Sequence, residues 1–377
     1  MSQIQQLLRE DLRGRTPYGA PQLDVPVALN TNENSYAVPP AVVDDIVAAV
    51  AAVASGLNRY PDREFTDLRG DLAAYLTRSG TTVRPEQVWA GNGSNEVLLH
   101  LLQAFGGQGR TALGFTPAYS MHPIIAATTG TTWVDGLRGV GARTPRGGGA
   151  FDLAVESAVE QVEKADPHLV FLCSPNNPTG TALSLDTVVA VLEAAPRAVV
   201  VVDEAYAEFA RPGTPSALTL LEGRPRLVVT RTMSKAFAFA GGRLGYLAAD
   251  PELVDALRLV RMPYHLSTPT QAIARAALRH ADTMLATVDV VKEQRDRIVE
   301  TLTRLGLDPV PSDANFVLFG GLRDSATTWQ ALLDEGVLVR DVGIAHYLRV
   351  TAGTPEETTA FLDAVAALGP DHLEGQS

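Results

Sequence analysis

The 377-residue sequence predicts an α/β fold: a large domain with a mostly parallel sheet flanked by helices, joined to a smaller α+β domain. Three observations carry that expectation. The runs HLVFLCSPNNPTG (168–180), AVVVVDEAYAEF (198–209) and RLVVTRTMSKAF (226–237) are each apolar over a strand's length and end in a polar cluster. From Gln87 such strands alternate with helical patterns, which implies parallel pairing. After Asp250 the pattern changes to long helical periods followed by shorter strands.

The elements follow in order. Residues 1–38 read as an arm packing with the small domain, with a short polar helix and then the turn-rich strings TPYGAPQ and LNTNENSY. Residues 39–250 form the expected large domain. It opens with an alanine-rich helix from Pro39 to Gly56, a loop over Asn58–Asp62 and an amphipathic helix. QVWAGNGSNEVLLHLLQAF reads as strand, glycine turn and helix, and TALGFTPAYSMHP as a strand running into a loop. RGVGARTPRGGG (138–149) reads as an exposed irregular segment, and GGRLGYLAAD as a further strand whose short connection favours antiparallel pairing. Residues 251–377 form the small domain: long helical periods over PELVDALRLVRMPYHLSTPTQAIARAALRH and TMLATVDVVKEQRDRIVETLTRLG, strands at NFVLFGG, VLVRDV and YLRVTAG, a helix at TTWQALLDEG and a closing helix from Glu356. The tail DHLEGQS is expected to fray.

Composition narrows the function classes. A net charge of −12 with pI near 5.1 argues against nucleic acid as the main partner, since a phosphate-binding surface needs a basic stripe. A few local arginines still suffice for a small anionic substrate. Cys173 is the only cysteine, so no intrachain disulfide can form, and its run LVFLCS suits a small core filler. With no apolar leader-like stretch and no transmembrane pattern, a cytoplasmic location without membrane contact is expected.

Positive charge is carried almost entirely by arginine, with lysine at only three positions. Lys164 and Lys292 sit among charged residues in helical patterns and read as solvated. Lys235 is flanked by Met233, Ala236, Phe237, Ala238, Phe239 and Ala240, with no carboxylate near it in sequence. Burial disfavours the ammonium. A neutral lysine amine is a nucleophile that can condense with a carbonyl to a Schiff base, which arginine cannot do. The bland alternative is a lysine that snorkels to the surface.

In open α/β sheets ligands lie beyond the carboxyl ends of the strands, so the polar ends of these runs should share one cleft. GNGSNE (91–96) follows a strand and opens a helix, so Gly93, Ser94 and Asn95 offer amides and a hydroxyl to a phosphate; the alternative is a capped glycine turn. Asp203 ends the valine run, either as a salt-bridge or cap residue or as the partner that keeps a pyridine nitrogen protonated. Tyr206 could give its hydroxyl to a phenolate oxygen, or be core. Asn176 and Asn177 present side-chain amides from a proline-punctuated turn. Thr232 and Ser234 flank the lysine at alternate positions, which in an extended segment point the same way. Arg243 adds a fork for a phosphate unless it is a plain surface arginine. Tyr119 offers a face for a planar ring. Jointly these supply the groups that pyridoxal phosphate needs, and the set includes no metal site.

In their order, GNGSNE, SPNNPTG, VVDEAY, TMSKAF with the GGRLGY arginine, and LRVTAGTPEE resemble fold-type I pyridoxal-phosphate-dependent aminotransferases. LNTNENSY, NRYP and the motif order across nearly the whole chain are similar to the histidinol-phosphate aminotransferase family within them. The resemblance implies Lys235 as Schiff-base lysine, Asp203 at the pyridine nitrogen, Asn177 and Tyr206 at the ring oxygen, and Tyr119 stacked on the ring. It implies Ser94, Asn95, Thr232, Ser234 and Arg243 around the cofactor phosphate. Tyr60 of NRYP would reach the phosphate of a neighbouring subunit, which implies a homodimer with shared sites. Two positions depart from the family pattern: Asn95 stands where many relatives carry an acid, and Ser35 where proline is frequent.

The implied reaction moves an amino group between L-histidinol phosphate and 2-oxoglutarate in histidine biosynthesis, with Lys235 also serving as general base and the two substrates sharing one site in ping-pong order. Arg349 of YLRVTAG and Arg340 of VLVRDV resemble the family's substrate-anion arginines, although a salt bridge of Arg340 with Asp341 or Glu335 is the alternative. Tyr18 and Tyr264 resemble tyrosines that close over the substrate phosphate; for Tyr264 plain packing is the alternative. Three rival functions remain at this point: an aromatic amino-acid aminotransferase, an amino-acid phosphate decarboxylase on the same scaffold, and a cofactor-sensing regulatory module. No helix-turn-helix segment favours the last.

Overall fold

The structure is a computed structural model that describes residues 3–14, 16–139, 151–369 and 371–374. In chain order its strands are β1 (Val27–Ala28), β2 (Val88–Gly91), β3 (Thr111–Thr116), β4 (Thr132–Leu137), β5 (Leu169–Cys173) and β6 (Val199–Asp203). Then come β7 (Leu227–Thr232), β8 (Gly245–Ala248), β9 (Asp308–Pro309), β10 (Phe316–Gly320), β11 (Val337–Leu338) and β12 (Leu348–Thr351).

Seven of these form one sheet in the order β2-β8-β7-β6-β5-β3-β4. Pairing from β7 through β6, β5 and β3 to β4 is parallel, and β8 runs antiparallel to both its neighbours, as its short connection predicts. Every residue of β5, β6 and β7 is buried. Strands covered by helices on both faces need apolar side chains at every position, which is why the runs are continuous rather than alternating. The register sets Cys173 beside Asp203 and Asp203 beside Thr230, so these polar strand ends stand side by side.

The N-terminal segment is tied down by backbone pairing. β1 lies parallel to β11, Thr351 N donates to Leu29 O at 2.9 Å, and Asn32 N donates to Thr351 Oγ1 at 3.0 Å. β12, β10 and β9 make a separate antiparallel sheet; the helix Ala281–Arg304 packs on β9 and β10, and Phe361 of the helix Pro355–Ala366 meets Phe319 of β10 edge to face. Among the described residues no helix is long and apolar enough to cross a membrane.

Several expectations change in detail. The long helical period from Pro251 is broken into Pro251–Leu257 and Thr268–Arg279, and the link between them includes Tyr264 in a left-handed backbone, φ +60°, outside the helical region. The tail does not fray over Asp371–Glu374: Arg323 N donates to His372 O at 3.0 Å, Glu374 N donates to Gly321 O at 2.9 Å, and Leu373 is buried. Most of the segment expected to be irregular, residues 140–149, lies outside the described residues, as do Gly375–Ser377.

Candidate active site

Lys235 stands just past the end of β7 on a floor of fully buried Met233, Ala236 and Phe237. Its Nζ donates to Thr31 O at 3.1 Å. Burial, reinforced by the positive charges of Arg349 and Arg243, pulls its pKa down from the ordinary lysine value to about 8, against the opposing pull of Glu33. The local sequence holds no carboxylate near the lysine, but the fold brings Glu33 close from the N-terminal segment.

Asp203, 2% exposed, takes Nε2 of His122 at 3.1 Å and Oγ1 of Thr230 at 3.2 Å. The Tyr206 hydroxyl accepts from Asn32 Nδ2 at 3.0 Å and lies 3.4 Å from Asn177 Nδ2; burial pushes its pKa up to about 12, so it stays protonated at neutral pH. Tyr119 caps the same space and donates to Asn95 Oδ1 at 3.3 Å. Asn176 is not free, because its Nδ2 is spent on Pro117 O and Thr179 Oγ1 within the turn. Of the two amides, Asn177 alone faces the cleft.

At the other end, Ser94 begins the helix Ser94–Phe105, and its cap residue Gly93 has φ +84° and no capping side chain. Thr232 and Ser234 do lie together, 2.9 Å between their hydroxyl oxygens. A turn does this rather than strand alternation, since Ser234 N donates back to Thr232 Oγ1 at 3.1 Å. Arg243, left-handed at φ +54°, donates to Ala240 O and reaches Gly93, where an added Cβ would stand 2.6 Å from its Nη2. At Gly245 an added Cβ would collide with the backbone of Gly93 and Ser94. The result is a cradle of helix amides, the three hydroxyls of Ser94, Thr232 and Ser234, the Arg243 guanidinium and two positions where only glycine fits. Such a cradle suits a phosphate dianion.

Arg349 is buried, with Nη1 donating to Asn177 Oδ1 at 2.7 Å, Nη2 to Asn30 O at 2.8 Å, and Nε without a partner. Burial pulls its pKa down to about 10, which leaves it charged at neutral pH. Arg340 pairs with it through two backbone hydrogen bonds of 2.9 Å and lines the same cavity with Tyr18. The alternative salt bridge with Asp341 or Glu335 is absent: among the described residues Arg340 has no carboxylate partner.

Two expected residues are not in this cleft. Tyr60, 80% exposed, and Tyr264 stack on each other at 4.4 Å and 13° on the outer surface, and neither lines the cavities around Lys235. Sequence reasoning also passed over His122, Thr230, Asn30, Thr31, Asn32 and Glu33. The four arm residues sit in NTNE, whose density of polar groups was the available signal. Nothing local marks His122, which is 1% exposed and stacked on Phe171. The other two lysines have the plain roles expected, Lys164 exposed and Lys292 3.4 Å from Asp289.

A nucleophilic amine, a buried carboxylate, donors for a ring oxygen, an aromatic face and an anion cradle thus converge, and the family of class I and II aminotransferases matches residues 25–365. The chain belongs to that family. A histidinol-phosphate aminotransferase of Paenarthrobacter aurescens (strain TC1) is 61% identical over 363 residues, covering 96% of this chain and 94% of that one. One of Thermobifida fusca (strain YX) is 58% identical over 358 residues, covering 95% and 94%. Within the class, the chain's sequence relatives therefore fall among the histidinol-phosphate aminotransferases. The structure of such an enzyme from Sinorhizobium meliloti in complex with pyridoxal-5'-phosphate superposes with TM-score 0.78 at 24% identity, covering 92% of each chain. A Thermus thermophilus aspartate aminotransferase variant gives 0.76 at 24%, covering 95% and 98%. The fold-type I α/β architecture is common to both, so it does not by itself select a substrate.

Proposed function

We infer that the protein transfers an amino group from L-histidinol phosphate to 2-oxoglutarate in histidine biosynthesis, with pyridoxal 5'-phosphate as cofactor. Relatives sharing well over half of their residues along nearly the whole chain carry that activity in their names. The observation that supports it within the site is the Arg340–Arg349 pair. Two guanidinium groups line one cavity beside the reactive lysine, neither ion-paired to a carboxylate among the described residues, which suits a doubly charged phosphate as well as the carboxylates of the second substrate.

The residues fit the cofactor. Ser94, Asn95, Thr232, Ser234 and Arg243 would hold its phosphate in the glycine-lined cradle, Asp203 its ring nitrogen, Asn177 and Tyr206 its ring oxygen, and Tyr119 its face. When bound, pyridoxal phosphate supplies an electrophilic carbonyl carbon and an electron sink. The protein does the rest. Lys235 Nζ, with a pKa near 8, has an accessible neutral form to attach the cofactor and then to move the proton at the substrate Cα. His122 and Thr230 fix the Asp203 carboxylate so that it faces the ring. Arg349, Arg340 and Tyr18 hold the substrate's anionic end and thereby aim its Cα at the lysine.

The Tyr60–Tyr264 stack points away from its own cleft, with Leu57, Leu259 and Met262 also exposed nearby in sequence. We read this face as the contact with a second copy, with Tyr60 completing the partner's phosphate cradle and Tyr264 reaching its substrate. A homodimer with shared active sites follows from this reading.

Purified protein assayed with equal 2-oxoglutarate should turn over histidinol phosphate far faster than phenylalanine, forming glutamate and a keto product. Preference for phenylalanine would favour an aromatic aminotransferase, and release of carbon dioxide from an amino-acid phosphate a decarboxylase.

A further inference from the structure

We propose that Glu33 recognises the imidazole of the amino donor, and so sets the enzyme's preference between its two substrates. The inference rests on histidinol phosphate being that donor. This molecule has an anion at one end, an imidazole at the other and the reacting amine between them. The cleft has the complementary layout. Two cavities meet at Lys235 and share Thr31, Tyr119, Asn177 and Tyr206. Tyr18, Arg340 and Arg349 line only one of them, and Glu33 lines only the other. Most of that second lining is assigned above to the cofactor, and Glu33 is its one charged residue without a role toward that group. With the amine at Lys235, the cofactor in its cradle and the substrate phosphate on the arginines, the remaining arm of the donor is left for the side that carries Glu33.

That second cavity has two carboxylates, and their settings differ. Asp203 is buried and held by His122 and Thr230, whereas Glu33 is exposed to the cleft. The Glu33 side chain accepts one hydrogen bond among the described residues, from Thr31 Oγ1 to Oε2 at 2.8 Å, which leaves Oε1 for a ligand. Thr31 is also the residue whose carbonyl holds Lys235, so Glu33 is anchored to the same turn that positions the reactive amine. An imidazole N–H is a donor in either protonation state, and with an ordinary pKa of about 6.5 it is partly cationic near neutrality. A carboxylate is its natural partner, and the bond strengthens with the ring's charge. The acceptor, 2-oxoglutarate, is anionic at both ends and gains nothing from a carboxylate on this side.

The two half-reactions of a ping-pong enzyme report kcat/KM for each substrate separately, which makes the test a crossover. In the holoenzyme, Glu33→Gln keeps an oxygen for Thr31 but removes the charge. It should lower kcat/KM for histidinol phosphate by about ten-fold or more, the scale of a lost charge-assisted hydrogen bond. At the same time kcat/KM for 2-oxoglutarate should hold or rise. Glu33→Asp, which retains the charge, should lose less than the glutamine variant. A parallel fall in both constants would make Glu33 merely structural, and no change in the ratio, or an aspartate variant as impaired as glutamine, would overturn the proposal. If the wild-type protein does not use histidinol phosphate at all, the functional reading fails first; if it does and the ratio is insensitive to residue 33, only this inference fails.

Discussion

Nε2 of His122 lies 3.1 Å from Oδ2 of Asp203, with both side chains shut away from solvent. A carboxylate so deeply buried must be matched by donors, and His122 and Thr230 supply them from two different elements. The two contacts hold the carboxylate in one orientation, as the partner of a ring nitrogen requires. Asp203→Asn should therefore retain bound cofactor while lowering kcat by roughly a hundred-fold or more, the scale of losing one preorganised electrostatic group. His122→Phe should cost less, about ten-fold, with a similar cofactor Kd. Near-normal turnover in the asparagine variant would remove Asp203 from this role.

The proposed reaction gives the covalent work to Lys235. In Lys235→Ala, borohydride should no longer fix pyridoxal phosphate to the chain, as read by intact mass. An adduct at Lys164 or Lys292 instead would overturn the assignment.

The depressed pKa of Lys235 has a definite sign. Its folded value of about 8 lies below the ordinary lysine value, so the neutral amine becomes abundant as pH rises through about 8. The rate at which cofactor-free protein takes up pyridoxal phosphate covalently should climb over that interval and level off above it. A climb that continued to the range of a free lysine would mean the amine is not desolvated.

Gly93 and Gly245 are the two places where the phosphate cradle admits no side chain. At Gly93 the backbone is left-handed and an added methyl would press on the Arg243 guanidinium. Gly93→Ala should raise the Kd for pyridoxal phosphate by at least about ten-fold, measured by equilibrium dialysis, with little change in KM for 2-oxoglutarate once the site is saturated.

Tyr60, stacked on Tyr264 and exposed, tests the shared site. Mixing inactive Lys235→Ala subunits with impaired Tyr60→Ala subunits should restore part of the activity, because one of the two sites in each heterodimer is then intact. Verified heterodimers without recovery would refute shared sites.

Much of this site was legible in the sequence because its residues follow strand ends. The strand ending at Asp203 and the turn after Thr232 are local, and the rule that ligands gather beyond parallel strand ends brings them together without coordinates. The helix start at Ser94 and the lone apolar-flanked Lys235 were local too. What the sequence could not give was any relation across the chain. It left Arg340 open between a salt bridge and a free guanidinium, and read Tyr264 inside a helical period, where its backbone is left-handed instead. It also treated Asn30–Glu33 as a polar arm, although Asn32 bonds Tyr206, Asn30 bonds Arg349 and Thr31 bonds Lys235.

The sequence by itself determined the order of strands and helices and the chemical types gathered at the strand ends, because hydrophobic period and turn chemistry act between near neighbours. Tertiary structure alone decided which distant groups meet: His122 with Asp203, Glu33 near Lys235, Tyr60 with Tyr264 on the outer face. Those pairings depend on how the sheet twists and how the arm threads through β1 and β11, and neither leaves a mark in the local pattern.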